Sequence, residues 1–144
     1  MATRVRDVMS PPPPVVLGSE PVMIAAQQLR AQRAAAVPIR GDNNRFLGML
    51  TTGDIINRCV AGGLDTRVTT TASLLTGCGT VLSPGDVLDN EVLSQLLAQG
   101  FSSLPVLDSG GTLVGLLTVD DVAGYLLTIP NDEATGAWPE PDFW

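Results

Sequence analysis

Apolar positions along this chain follow one order of patterns, and the order occurs twice. In the first half, "VVL" (15–17) is a short β-branched run, and Val22, Ala25, Ala26 and Leu29 then recur at helical spacing. "AVPI" (36–39), "GDNN" (41–44) and "RFLGMLT" (45–51) read as strand, hairpin turn and returning strand, and "DIINRCV" (54–60) opens a closing helix. In the second half "TVL" (80–82) is the opening strand, and Val87, Leu88, Val92, Leu96 and Leu97 carry the helical spacing. "SLPV" (103–106), "DSGG" (108–111), "TLVGLLT" (112–118) and "DVAGYLL" (121–127) complete it. Each half predicts β-α-β-β-α. "VRDVM" (5–9) and "TASLL" (71–75) read as short lead-in helices. Ser19, with Pro21 behind it, is a helix start signal, and Asp86 is one in the second half. Proline cannot donate to a ladder, so Pro38 and Pro105 are expected at a strand start or edge.

The two halves register on each other. Gly48 falls on Gly115, Thr51 on Thr118 and Asp54 on Asp121, each 67 positions on, and the shift runs ungapped from Gly18 on Gly85 to Asp121. Two copies are too few for a solenoid, so an α/β pair related by a pseudo-two-fold axis, sheets packed on each other, is expected. The organisation predicted is 1–62 for the first repeat with its lead-in, 63–71 for a linker, 72–128 for the second repeat, and 129–144 for an acidic tail. The tail holds Trp138, Phe143 and Trp144; its Pro, Gly and acid content suits a solvated segment, while its aromatics suit docking.

The net charge of −7 is unevenly placed: all eight basic residues are Arg and lie between Arg4 and Arg67, while ten of the fifteen acids lie from Asp86 onward. That balance argues against a non-specific nucleic-acid binder. There is no histidine and no C-x-x-C, so no metal site is expected, and no Ser/His/Asp set can form. Asp120 and Asp121 are adjacent at a helix start and point apart, which does not suit paired-carboxylate catalysis. No enzyme is expected. Neither the opening residues nor any later stretch has the apolar run of a signal peptide or of a span of about 20 residues. A cytoplasmic protein is expected, with no membrane partner. Cys59 in an apolar helix and Cys78 in "TGCGT" read as small buried residues rather than a redox pair.

In order, "GFSSLPVLDSGGTLVGLLTVDDV" (100–122) and its first-half counterpart resemble the CBS domain. The chain as a whole resembles a tandem CBS pair, or Bateman module, of the small stand-alone kind typified by the hypoxic-response proteins. The first copy departs once, with Arg33 where the pattern has Gly. The resemblance implies two clefts between the copies, in which an AMP-like adenosyl ligand is held. The Asp of Thr-x-x-Asp would take the ribose hydroxyls, and the Thr would meet phosphate. Carried over, the first cleft holds Thr51 and Asp54 with Leu82, Ser102 and Ser103. The second holds Thr118 and Asp121 with Val16, Ala35 and Ala36. Arg4, Arg6 and Arg58 are the phosphate candidates. Asp120 beside the second motif would repel a polyphosphate, where the first copy has Gly53, so the first cleft ranks above the second and AMP above ATP. A homodimer and an unidentified protein partner are implied, the exposed apolar face of the closing helices needing cover. The same Thr-x-x-Asp is also a capping box, with Asp54 placed to pair with Arg58 one turn on; a ligand-free scaffold stays open beside the sensor. Gly48 and Gly115 suit close packing of strands or close approach of a ligand.

Overall fold

In a computed structural model, residues 3–14, 16–75, 80–98 and 103–127 are described. The first copy opens with α1 (Val5–Val8), then β1 (Val16–Leu17), α2 (Val22–Gln32), β2 (Ala36–Arg40), β3 (Phe46–Thr51) and α3 (Thr52–Asp54). The last of these runs on as a π-helical stretch, Ile55–Val60. The second copy has a 3₁₀ turn at Ala72–Leu74, then α4 (Asn90–Ala98), β4 (Ser103–Leu107), β5 (Leu113–Thr118) and α5 (Val119–Leu126). The β-α-β-β-α order predicted from the apolar pattern is observed in the first copy; in the second the opening strand is reduced, among the described residues, to a single bridge at Leu82.

β2 pairs in parallel with β1 and antiparallel with β3, while β4 pairs antiparallel with β5 and receives Leu82 through a parallel bridge to Val106. Both hairpins bulge at the same step, Ile39/Arg40 and Val106/Leu107. The hairpin tips meet, Arg45 bridging to Thr112, the residue 67 positions on. A residue that pairs with its own counterpart marks where a pseudo-two-fold axis passes.

Pro38 and Pro105 are not at strand starts; each is the third residue of a five-residue strand. Leu82 donates its N–H to the Pro105 carbonyl at 2.9 Å, so the nitrogen of Pro105 faces the same side, where the opening strand pairs only from Val106 on. The missing donor therefore faces no ladder partner.

The repeat has two registers. Val5 N–H donates to Asp86 and Thr71 N–H to Glu20; Arg6 donates to Pro84 and Ala72 to Gly18; Leu88 donates to Thr3 and Val22 to Thr69. In each couple the counterparts are 66 positions apart, as from Val5 to Thr71 and from Glu20 to Asp86. From β2 to β5 the spacing is 67, as in Ala36–Thr51 against Ser103–Thr118. The ungapped alignment is therefore off by one before the helices, and one extra residue enters the second copy ahead of α4. The helix starts differ from the expectation for the same reason. Asp89 caps α4 by accepting the Val92 N–H at 3.0 Å, and α2 starts after Pro21 with no side-chain cap. Glu20 and Asp86 instead brace the preceding turn, each accepting the N–H of the residue three back.

Each copy has its own apolar centre. Val22, Ala25, Leu29, Val37, Ile39, Leu50, Ile55 and Cys59 form the first, and Leu82, Val92, Leu96, Leu104, Val106, Leu117 and Val122 the second. The lead-ins cross over: Val5 packs in the second centre and Leu74 in the first. Burying a Val or Leu side chain contributes about 1.5–3 kcal/mol, so each lead-in fastens one copy to the other. Thr71, fully buried beside this crossing, donates its hydroxyl to the Leu17 carbonyl at 2.8 Å. Gly115 faces the crossing chain: a Cβ there would stand 2.6 Å from Met9 Sδ and 2.8 Å from the Ser10 carbonyl oxygen. That glycine serves packing.

Candidate functional site

The two Thr-x-x-Asp phrases form the same local structure. Thr51 Oγ1 accepts the Asp54 N–H at 3.0 Å and the Asp54 carboxylate accepts the Thr51 N–H at 3.2 Å. Thr118 and Asp121 repeat this at 3.0 Å both ways. Both are complete capping boxes, which satisfy helix-start donors whether or not a ligand is present. Among the described residues, the other carboxylate oxygen has a further partner only in the second copy. Asp121 Oδ1 accepts the Ser10 hydroxyl, and Ser10 also exchanges two backbone hydrogen bonds with Leu116. Among the described residues, no such hydroxyl reaches Asp54.

A cavity of about 490 Å³ opens between the copies. Its first-copy wall runs from Gln32 to Ala36, and its second-copy wall includes Ser103, Leu116 and Thr118 to Asp120. This is the second predicted cleft, where Thr118, Ala35 and Ala36 come together. Ser103, expected with the first cleft, lies here instead, because it pairs directly with Thr118 across β4 and β5. Val16 and Leu82 point elsewhere: they are 1% and 3% exposed and belong to the two apolar centres. Asp121 stands one helical turn from Thr118, held in its cap and by Ser10. Ser102 and Cys78 lie outside the described residues, as does the tail from 128 on. In sequence, 99–102 correspond to 32–35 at the 67-residue spacing.

None of the three phosphate candidates lines this cavity. Arg4 donates to the Gly85 carbonyl at 3.0 Å, and an Arg6 nitrogen lies beside Gly85. Arg58 does not pair with Asp54; its guanidinium donates to the Leu74 carbonyl. That carbonyl ends the 3₁₀ turn and has no partner within it, so a charged donor is its natural complement. The cation that does reach the cavity is Arg33, which the sequence marks only as a departure from glycine. Arg33 closes α2 in the left-handed conformation, φ 51° and ψ 40°, which costs a residue with a Cβ about 1–2 kcal/mol.

Electrostatically the described surface is sparsely paired. Asp65 accepts the Arg67 backbone N–H at 2.9 Å and pairs with its guanidinium at 3.3 Å. Those bonds, the backbone one first, hold the Asp65 carboxyl below its ordinary value. Cys59 is fully buried in the first apolar centre, a small core residue. Among the described residues, no three His, Cys, Asp or Glu side chains gather where a metal could sit, and no helix is long and apolar enough to cross a membrane.

The CBS domain profile matches residues 5–61 and 90–128, the two copies just described. The chain belongs to the CBS domain family. This CBS pair is 34% identical to Hypoxic response protein 1 of Mycobacterium tuberculosis over 124 residues, covering 86% of this chain and 85% of that one. A crystal structure of Hypoxic Response Protein I, with two coordinated zinc ions, superposes with a TM-score of 0.75 at 30% identity, over 89% of this chain and all of that one. CBSX2 in complex with AMP superposes with a TM-score of 0.72 at 25% identity, over 86% of this chain and 96% of that one; CBSX2 comes from Arabidopsis thaliana.

Proposed function

We propose that this CBS pair is a non-catalytic regulatory module that binds an adenosyl ligand in the cleft between its copies and signals to a partner protein. One observation carries the reading. The cavity at the second cleft takes its walls from both copies, with the strand start Ala35-Ala36 on one side and Thr118 on the other. CBSX2, similar over most of its length, is a CBS pair that holds AMP. A ligand spanning both walls favours whichever relative setting of the copies it contacts better, and biases the equilibrium only by that difference. Asp121 would receive the ribose hydroxyls beside or in place of Ser10, since a carboxylate accepts several hydrogen bonds.

Calorimetry with adenosine, AMP and ATP tests it. An adenosyl ligand should bind the wild-type chain, and Asp121→Asn should weaken binding by about ten-fold, or 1.4 kcal/mol. Absence of heat and of any thermal shift with all three would leave the other reading, a ligand-free scaffold. That reading is favoured by the fact that both motif aspartates are already engaged as caps.

The same proposal includes cytoplasmic residence and a homodimer. Ile56 and Val60 on the closing helix of the first copy are 58% and 59% exposed. Ile56 also borders an apolar groove with Ala26, Leu29 and Ile55. Covering such a face stabilises association. Light scattering should give twice the chain mass for the wild type and the single chain mass for Ile56→Glu.

A further inference from the structure

The second cleft carries one charge of each sign, and the two come from different copies. Arg33, at the end of α2, stands in the first-copy wall, and Asp120, in the first turn of α5, stands in the second-copy wall. Neither side chain has a hydrogen bond or ion pair to a described residue. Among the described residues they form no ion pair with each other, and both border the space a guest would fill. The duplication supplies an internal comparison. The residues 67 positions away from this pair are Gly100 and Gly53. One cleft has acquired both charges, and the sequence puts glycine at both equivalent positions of the other. Arg33 is also held in a left-handed backbone conformation that glycine would adopt without strain. Neither capping nor packing accounts for an arginine there, and strain of this kind collects at functional positions.

We infer that Arg33 and Asp120 select an adenosyl ligand bearing an amino-acid head group, with the carboxylate set against Arg33 and the cationic centre against Asp120. A zwitterionic head matches a cleft carrying one positive and one negative group. A nucleoside phosphate gains from Arg33 but is repelled by Asp120, and a second or third phosphate meets the same opposition. The inference rests on the adenosyl reading of the cleft and names the class of ligand within it.

Titration of the full chain with 5′-methylthioadenosine, S-adenosylmethionine and AMP separates the two ideas. 5′-Methylthioadenosine has the adenosyl group without the amino-acid head, so it reports on the adenosyl reading alone. S-Adenosylmethionine should bind about ten-fold or more tighter than 5′-methylthioadenosine, and AMP no tighter than 5′-methylthioadenosine. Arg33→Gly and Asp120→Asn should each reduce the first ratio to about three-fold or less, with the Kd for 5′-methylthioadenosine unchanged. Asp120→Asn should also improve AMP binding. Arg33→Gly should raise Tm while lowering affinity for S-adenosylmethionine, a combination that a purely structural arginine would not give. If 5′-methylthioadenosine binds but the wild-type ratio is near one, or withstands both substitutions, the charge-selection idea is overturned and the adenosyl site stands. If none of the three ligands binds, both are overturned.

Discussion

The two copies of this CBS pair fold alike, and among the described residues the same motif stands in different surroundings. In the first, Asp54 caps its helix and has no further hydroxyl partner among the described residues. In the second, Asp121 makes the same cap and also receives Ser10 from the crossing lead-in. The second cleft has Arg33 and Asp120 on its walls, where the duplicated positions are glycines. Duplication thus fixed the frame, the strand pairs, bulges and caps, because each copy must bury the same apolar face. It left the residues at the cleft mouth free to diverge, since those are not needed for the core. A repeated motif is evidence of repeated architecture and only secondarily of repeated chemistry.

The comparison breaks most sharply at the cores. Leu50 and Leu117 are counterparts, both fully buried, and truncation to Ala should cost about 3 kcal/mol at either site. Both variants should melt in a single transition at a similarly lowered temperature, because the lead-ins tie the cores together. Two transitions in calorimetry would show that the copies unfold independently.

Gly115→Val comes next, with a loss of about 2 kcal/mol in denaturant unfolding. The added side chain must displace backbone at Ser10 as well as the Met9 side chain. A neutral result would mean that the lead-in does not lie on β5.

Val5→Ala should cost about 1–2 kcal/mol, with its effect placed in the copy that Val5 does not precede. Hydrogen exchange should quicken in β4 and β5 more than in β2 and β3. The reverse pattern would show that the lead-in belongs to its own copy.

The smallest effect separates the caps. Thr51→Ala and Thr118→Ala should each cost about 1 kcal/mol by chemical unfolding. Thr118→Ala should in addition weaken an adenosyl ligand in the second cleft, whereas Thr51→Ala should leave that binding unchanged.

Much of this was legible before any coordinates. Period and punctuation placed the strands and helices, because a core face imposes 3.6-residue spacing on α2 and α4 and β-branched runs with turn residues on the strands. The capping boxes were legible because Thr-x-x-Asp acts over one turn. The helix starts were less so: Ser19 and Asp86 read as caps, yet α2 has no side-chain cap and Asp86 braces a turn, and only the pairing partners reveal the one-residue change of register. Arg58 was assigned to Asp54 by spacing, but a carbonyl from the other copy's lead-in took it. Arg33 was visible only as a mismatch, since nothing local says which wall a helix end will join.

The sequence by itself determined the duplicated β-α-β-β-α unit, its apolar faces and its caps, all of which depend on neighbours within a few residues. Only the tertiary structure decided that the lead-ins exchange copies, that Ser10 reaches Asp121, and that Arg33 and Asp120 share one cleft. Those contacts join residues distant in the chain, 111 positions apart for Ser10 and Asp121, and their existence depends on how two complete copies settle against each other, which no local pattern encodes.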